Sequence, residues 1–457
     1  MTAPPLRRRG AIARASDPSR RTGGWALTSP FAGLHWSPAF IAFLVYAFVI
    51  TTYRINVGTL AMSVALVTLP LERTSLRLPP LALMALAFLG WGFVGWGSSD
   101  YPLIVWDRLI EFAKIVGVIL VAVNVLTTRA RLRLFLLAYL AYFAFFPVRG
   151  AFFNYFLYSG TMSGRAVWNF AYANPNDLAG VCLLFVALSA GVLVSERARW
   201  IRLAAFAGIV LLPFLIVLTQ SRGAFVALLA FALIALKGQW RRARTLALTA
   251  GVALVVFFAA PDDVWERLGT IQKVATQEEG AAGIADEGSA EQRLEIWKVA
   301  RAIIADEPIT GVGLGAYHEV HYRYALRPIF NPTAQGKRDT HSTYLKIFAE
   351  TGIVGLIVFL GLVGFTLFDA ERTRRRKQAI DPPGAKQLYY MELGMIGYLV
   401  AGIWGSYGEL VPTYLFLSLI YAGTWILKRQ GVVARQPVPA RGARMGTPVG
   451  PVRRSVR

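Results

Sequence analysis

Residues 178–194 read LAGVCLLFVALSAGVLV, Leu178 to Val194, with no charged side chain. A helix needs ~20 apolar residues to cross the ~30 Å hydrocarbon core of a bilayer, so this stretch decides the fold class. It has company. Leu78 to Gly97, Leu109 to Leu126 and Ile201 to Leu218 are nearly charge-free runs of similar length. Hydrophobic residues make up 55% of the 457 positions and charged residues 16%, a balance too apolar for a soluble chain of this size. A backbone in lipid must satisfy its own hydrogen bonds, and no alternating ten-residue strands are present, so the spans are expected to be helices.

Read outward from that centre, the sequence predicts about twelve transmembrane helices in an all-α, polytopic membrane protein. Their expected bounds are Pro38–Thr52, Ile55–Leu71, Leu78–Gly97, Leu109–Leu126, Leu132–Val148, Leu178–Val194, Ile201–Leu218, Gly223–Leu236, Leu246–Ala260, Ser342–Phe368, Met391–Tyr407 and Val411–Leu427. The organisation is then a basic, disordered tail (1–36), nine spans (37–260), a long polar loop (261–340), three spans (341–427) and a second basic tail (428–457). The formal charge of +22 would suit nucleic acid if it were clustered on one soluble face. Instead it alternates along the chain. Arg73 and Arg77, then Arg129, Arg131 and Arg133, then Arg197, Arg199 and Arg202, then Arg372 to Lys377 fall in every second connection, and those between are nearly bare of Lys and Arg. By the positive-inside rule both termini and these segments are cytoplasmic, the long loop is external, and the expected surroundings are membrane lipids with no nucleic-acid partner.

The lone cysteine, Cys182, lies within an apolar run, which excludes a disulfide framework. No short apolar segment with a small-residue cleavage site follows the basic N-terminus, so the first span is expected to serve as the targeting signal. Asn174-Pro175-Asn176-Asp177 reads as a helix start with a side-chain cap. In the long loop, Ile296, Trp297, Ala300, Ile303 and Ile304 give Ala290–Asp306 the period of an amphipathic helix. Arg293, three and four residues before Ile296 and Trp297, falls on its apolar face and there calls for an anionic partner.

The chemistry is bounded by what is missing. No Walker loop, no external Asp-x-Asp pair and no Cys/His cluster with zinc spacing occurs, so neither a cofactor nor a metal is expected. His318-Glu319-Val320-His321 has its histidines three apart, one short of a zinc helix. His341, at the external mouth of a span, reads on position alone as an interfacial histidine, and Arg222 after Thr219-Gln220-Ser221 as an arginine reaching for headgroups. Lys346 and Glu350, four apart on one helix, are expected to neutralise each other. Arg149 and Arg165 flank the shorter external loop as secondary cations. Taken together, isolated arginines and a histidine on one side of the membrane suit phosphate oxygens with a base beside them.

The chain resembles the bacterial O-antigen ligase and O-antigen polymerase family of polytopic glycosyltransferases. The resemblance rests on Thr219-Gln220-Ser221-Arg222-Gly223-Ala224, Arg293-Leu294-Glu295-Ile296-Trp297, Pro308-Ile309-Thr310-Gly311-Val312-Gly313-Leu314-Gly315 and His341-Ser342-Thr343-Tyr344-Leu345 running on to Glu350-Thr351-Gly352-Ile353-Val354-Gly355-Leu356. It implies a GT-C-like enzyme of the bacterial inner membrane that moves a glycan from undecaprenyl diphosphate to an acceptor hydroxyl on the periplasmic face. In a ligase the acceptor is the lipid A core, in a polymerase another lipid-linked glycan. The resemblance further implies His341 as the base and Arg222 and Arg293 as holders of the diphosphate, with Arg149, Arg165 and Tyr344 as secondary site residues. One large external loop points to the ligase. A different class stays open, a secondary transporter using Asp107, Arg108, Glu111 and Lys114 at one end of a span.

Overall fold

The computed structural model describes residues 34–72, 76–237, 251 and 290–430. The expected span Leu246–Ala260 and most of both tails lie outside the described residues. Within them the secondary structure is helical, apart from one bridge between Met162 and Arg165.

The first half runs α1 (Pro38–Thr52), α2 (Gly58–Val67), α3 (Pro80–Ser98), α4 (Pro102–Val125), α5 (Arg129–Phe143), α6 (Arg149–Phe156), α7 (Pro175–Ser195), α8 (Arg199–Leu218) and α9 (Arg222–Leu236). The second half runs α10 (Ala290–Asp306), α11 (Tyr317–Ala325), α12 (Thr343–Lys377), α13 (Pro382–Ala401) and α14 (Val411–Arg429). Among the described residues five helices are long and apolar enough to cross a bilayer: α3, α5 through α6, α7, α8 and α12. Three others, α1, α2 and α9, are apolar but shorter. The first span ends at Thr52 as expected, where Tyr53 enters the left-handed region (φ 51°), whereas the expected Ile55–Leu71 span is reduced to the ten residues of α2 and a 3₁₀ turn at Leu69–Leu71. Conversely, the fifth span does not stop at Val148. A π-turn at Ala144–Val148 absorbs Pro147 and carries the helix on to Phe156, which shortens the external loop to 157–174. Likewise α12 runs past Phe368 through the basic residues to Lys377.

Side-chain pairing shows that the alternation of charge is spatial. Arg131 pairs with Glu72 (2.8 Å), Arg133 with Glu196, Arg129 with Asp381, and Lys377 donates to the Gln430 carbonyl. The basic connections therefore share one end of the bundle. At the other end gather the 157–174 loop, the start of α9, and α10 and α11.

The centre is α7, apolar on every side and 89% buried over its span. It begins as the sequence predicts, with the Asn174 side chain accepting from the Asn176 amide (2.8 Å). Small residues let its neighbours approach, since in lipid the gain comes from close packing. The Gly394 position of α13 sits against Ala187, and Gly208 of α8 against Ser189.

The helix that positions the site is α12, and it is broken. Gly352 has φ 63° and ψ −170°, which interrupts the helical hydrogen bonds two turns from the start. A segment of the long loop fills the break. Val312 N–H donates to Ala349 O and Gly313 N–H to Glu350 O (both 2.9 Å), Ile353 N–H donates to Pro308 O (2.9 Å), and the Trp91 indole donates to Thr351 O (2.8 Å). Every one of these groups would otherwise be a costly orphan at membrane depth. The two Gly-rich motifs of the sequence thus exist for each other: a side chain at Gly352 would overlap Ile309, and one at Gly311 would overlap the Glu350–Thr351 peptide.

Candidate active site

Asp339 is the hub of a polar cluster where the loop enters α12. Its Oδ2 accepts from the Ser406 hydroxyl and, at 3.3 Å, from the His341 backbone N–H, and it stands 3.8 Å from His341 Nδ1. Its Oδ1 is 3.2 Å from Lys346 Nζ and 3.6 Å from His318 Nε2. Burial alone would raise its pKa, but the Lys346 charge, the Ser406 hydrogen bond and the two histidines outweigh it and hold the carboxyl down at about 2. Asp339 is therefore a fixed negative charge at any physiological pH.

The turn that carries His341 is built rigidly. Thr340 Oγ1 both accepts from Ser342 N–H (3.1 Å) and donates to Ser342 O (2.9 Å), and the Trp297 indole of α10 donates to Thr340 O (2.8 Å). Thr343, the first residue of α12, receives the chain between α13 and α14: its N–H donates to Gly402 O and Gly405 O, and its hydroxyl accepts from Tyr407 N–H (2.8 Å). His341 itself sits at φ 48°, a left-handed conformation that a non-glycine residue holds only when its surroundings impose it. Burial lowers the pKa of its imidazole. Asp339 opposes that shift, while the charges of Arg293, Lys346 and His318 add to it. The result is a ring that is neutral at pH 7 with a carboxylate on its Nδ1 side, the state a general base requires.

Arg293 lies one turn before Trp297 on α10, half-buried and close enough for its charge to act on both His341 and Tyr407. The helix was legible with its bounds, and its face of Ile296, Val299, Ala300 and Ile303 packs on Tyr317, Val320 and Ala349. Arg222 opens α9 after Gln220, which is again left-handed at φ 54°. Its neighbour Gly223 lies against Trp404, in the same connection whose Ser406 binds Asp339. Arg165 locks that corner. Its Nε donates to Thr219 O and its Nη2 to Asn176 Oδ1 (both 2.8 Å), tying the 157–174 loop to the start of α9 and the cap of α7.

Two secondary candidates are not brought into the cluster. Arg149 is exposed, with its guanidinium 4.7 Å above Phe153 of its own helix, and Tyr344 gives its hydroxyl to Leu399 O (2.7 Å). His321 is buried between the Tyr317 hydroxyl and Ala334 O (both 2.9 Å), a structural arrangement. Among the described residues no group of three or more His, Cys, Asp or Glu is placed to hold a metal.

Lys346 corrects the expectation that it pairs with Glu350. Its ammonium instead bridges Asp339 and Glu409, 3.2 Å from each, and Glu409 also reaches Arg108 at 3.5 Å. Glu409 comes from the connection before α14, far along the chain, and Asp339 from the loop just before α12, and a one-helix reading weighs neither. Of the charges the transporter reading rests on, Arg108 reaches Glu409 at 3.5 Å and Lys114 pairs with Glu111 at 2.6 Å. Asp339, Ser406 and Glu409 were missed altogether. A charge inside an apolar helix signals a partner, and Lys346 was that signal.

Three sequence fragments, around Arg293, Gly311 and His341, therefore meet at the start of α12, and the Arg222 fragment borders the connection that supplies Ser406 through the Gly223–Trp404 approach. Residues 207–360, from within α8 to beyond the break in α12, match the family model described as O-antigen ligase. No curated protein matches the chain.

Proposed function

We propose, on the match of residues 207–360 to the O-antigen ligase family model and on the site geometry, that the chain is a glycosyltransferase that moves a glycan from an undecaprenyl-diphosphate carrier to a hydroxyl of the lipid A core. The reaction takes place on the periplasmic face of the inner membrane, with both termini cytoplasmic and no metal or nucleotide. The observation that carries this reading is the rigid turn that sets a neutral His341 between the Asp339 carboxylate and the Arg293 charge.

The steps follow from that arrangement. The acceptor hydroxyl loses its proton to the His341 nitrogen that faces away from Asp339, and its oxygen forms a bond to the anomeric carbon. The bond from that carbon to the diphosphate oxygen breaks, with inversion, and the departing lipid diphosphate takes the electron pair. Asp339 offsets the positive charge that appears on His341, and the Arg293 and Arg222 guanidinia offset the negative charge that grows on the leaving group. Arg222 is well suited to that task, because it is the first residue of α9, where free backbone amides and the helix dipole also favour an anion.

The ligase form is favoured over the polymerase because α6 shortens the first external loop to 157–174, leaving one large loop. A deletion strain separates the two on a lipopolysaccharide gel. Loss of all glycan-capped core with lipid-linked polymer retained identifies the ligase; single repeats still attached to the core identify the polymerase. His341→Ala, verified in the membrane, abolishes transfer, and undiminished transfer removes the base.

A further inference from the structure

The long polar loop carries an apolar tip. After α11 the chain makes two successive turns, with Arg327 N–H donating to Tyr324 O (3.0 Å) and Phe330 N–H donating to Arg327 O (3.1 Å). Phe330 packs inward on the small core shared by α10 and α11, whereas Leu326 and Ile329 are left outside, 53% and 79% exposed. Ile309, three residues past the end of α10, is 61% exposed. A single exposed isoleucine needs no explanation, but three large apolar side chains around one end of a polar loop do.

Main-chain bonds fix the depth of this tip. Ile309 lies against Gly352 of α12, Pro308 O accepts from Ile353 N–H (2.9 Å), and the Trp91 indole of α3 donates to Thr351 O (2.8 Å). Trp91 stands seven residues before Ser98, the loop-side end of α3, which is about 10 Å down that helix. Ile309 therefore lies below the rim of the bundle. Its neighbours there are Ile353, Ile357 and Leu360, at spacings of four and three on α12, all exposed and all within a helix long and apolar enough to cross a bilayer. The turn after α11 is tied to the same level. The Tyr324 hydroxyl donates to Asp306 (2.6 Å), Arg327 Nη1 is 3.5 Å from the same carboxylate, and Asp306 is two residues from Pro308, within ~7 Å of extended chain. Above the tip, Arg323 donates to Asp100 (2.7 Å), just past the end of α3, and lies over Tyr101 (5.1 Å). Apolar side chains beneath arginine and tyrosine are the pattern of a segment seated at a bilayer interface.

We propose that Leu326, Ile329 and Ile309 form a wedge that enters the hydrocarbon of the leaflet on the loop's side, so that the loop is seated in the membrane and not suspended above it. The occupant of this surface is lipid acyl chain, because the patch continues the exposed apolar stripe of α12, and the one charge within it, Arg327, is turned back onto Asp306 and the Tyr324 ring (3.7 Å). The wedge does not depend on the glycosyl-transfer chemistry.

The test uses the full chain in liposomes. Its one cysteine, Cys182, is fully buried in α7, so the variants Leu326→Cys, Ile329→Cys and Gln335→Cys each take a nitroxide label at the new position. Gln335, exposed in the polar stretch before α12, is the aqueous control. Collisions of the label are measured with dissolved oxygen, which concentrates in hydrocarbon, and with a hydrated nickel chelate present on both sides of the bilayer. The expected oxygen-to-nickel collision ratio is about tenfold higher at positions 326 and 329 than at 335, because a hydrated complex is excluded from hydrocarbon. Both label sites point outward, so the variants are expected to fold; if one is not monodisperse, the other decides. Adding Ile329→Glu to the Leu326→Cys chain should lower its ratio by about threefold or more, since a carboxylate resists burial in lipid. Equal ratios at all three positions place the turn in water and overturn the wedge. Few collisions with either reagent at 329 mean that protein, from this chain or a second copy, covers the tip, and overturn it equally.

Discussion

Replacing Gly352 by alanine tests whether the break in α12 is imposed by the loop segment that fills it. The residue holds φ 63° and ψ −170°, a region essentially reserved for glycine, where a side chain costs ~1–3 kcal/mol in backbone strain. A Cβ there would stand 1.9 Å from Ile309 O and 2.2 Å from Ile309 C, so the 308–313 segment must withdraw. Withdrawal weakens three backbone hydrogen bonds, from Val312, Gly313 and Ile353, each contributing ~1 kcal/mol net. The sum is about 4–6 kcal/mol, enough to lower the melting temperature of the detergent-purified protein by several degrees at a fixed scan rate. Glycosyl transfer should fall further than stability, because the same shift displaces Lys346 and Glu350. Gly361→Ala and Gly364→Ala are the internal controls, since nothing lies within 4 Å of either added carbon and alanine is the better helix former. A melting temperature for Gly352→Ala within about 1 °C of wild type, or an equal loss in the controls, refutes the account of the break.

Asp339→Asn removes the charge that raises the His341 proton affinity, so His341 in the variant holds its proton less well still. On the proposed mechanism activity needs the neutral ring and is lost as pH falls through the His341 pKa, which burial holds below the ordinary imidazole value; the acid limb of kcat should thus move to lower pH while the plateau drops ~10²-fold or more for want of a counter-charge. An acid limb that stays put or moves up contradicts the pairing. Arg165→Gln leaves Thr219 O and Asn176 without their donors, and is expected to cost ~2–3 kcal/mol by thermal unfolding and to raise donor KM, with Arg222→Ala raising donor KM at little cost in stability. Arg149→Ala, which deletes a contact to an exposed ring, should change stability by under ~1 kcal/mol and leave transfer near wild type in the gel assay.

What the sequence disclosed follows what lies along the chain. The α7 core, its Asn174 cap and the bounds of α10 depend on periodicity and local hydrogen bonding, and all were legible. The end of the fifth span was not: a π-turn around Pro147 prolongs it to Phe156, although proline there reads as a stop. The site divides in the same way. His341, Arg222 and Arg293 stand out as isolated cations on one side of apolar segments. Asp339, Ser406 and Glu409 do not, because an acid or a hydroxyl in a polar loop is unremarkable until the fold brings a buried ammonium to it.

That ammonium also explains why so much glycine is spent at one place. A straight α12 would satisfy its own backbone and leave Pro308–Gly315 with nothing to bond; a broken one must borrow donors from outside the helix. By borrowing them from the polar loop, the chain fixes the loop to the membrane helix through main-chain bonds that no side-chain rotamer can relax. The loop contributes Arg293, Asp339 and His341, and the helix contributes Lys346 and Glu350. Charges that depend on one another are thereby held in register where the polar loop meets the apolar helix, as the proposed meeting of a lipid-linked donor with a water-exposed hydroxyl would require.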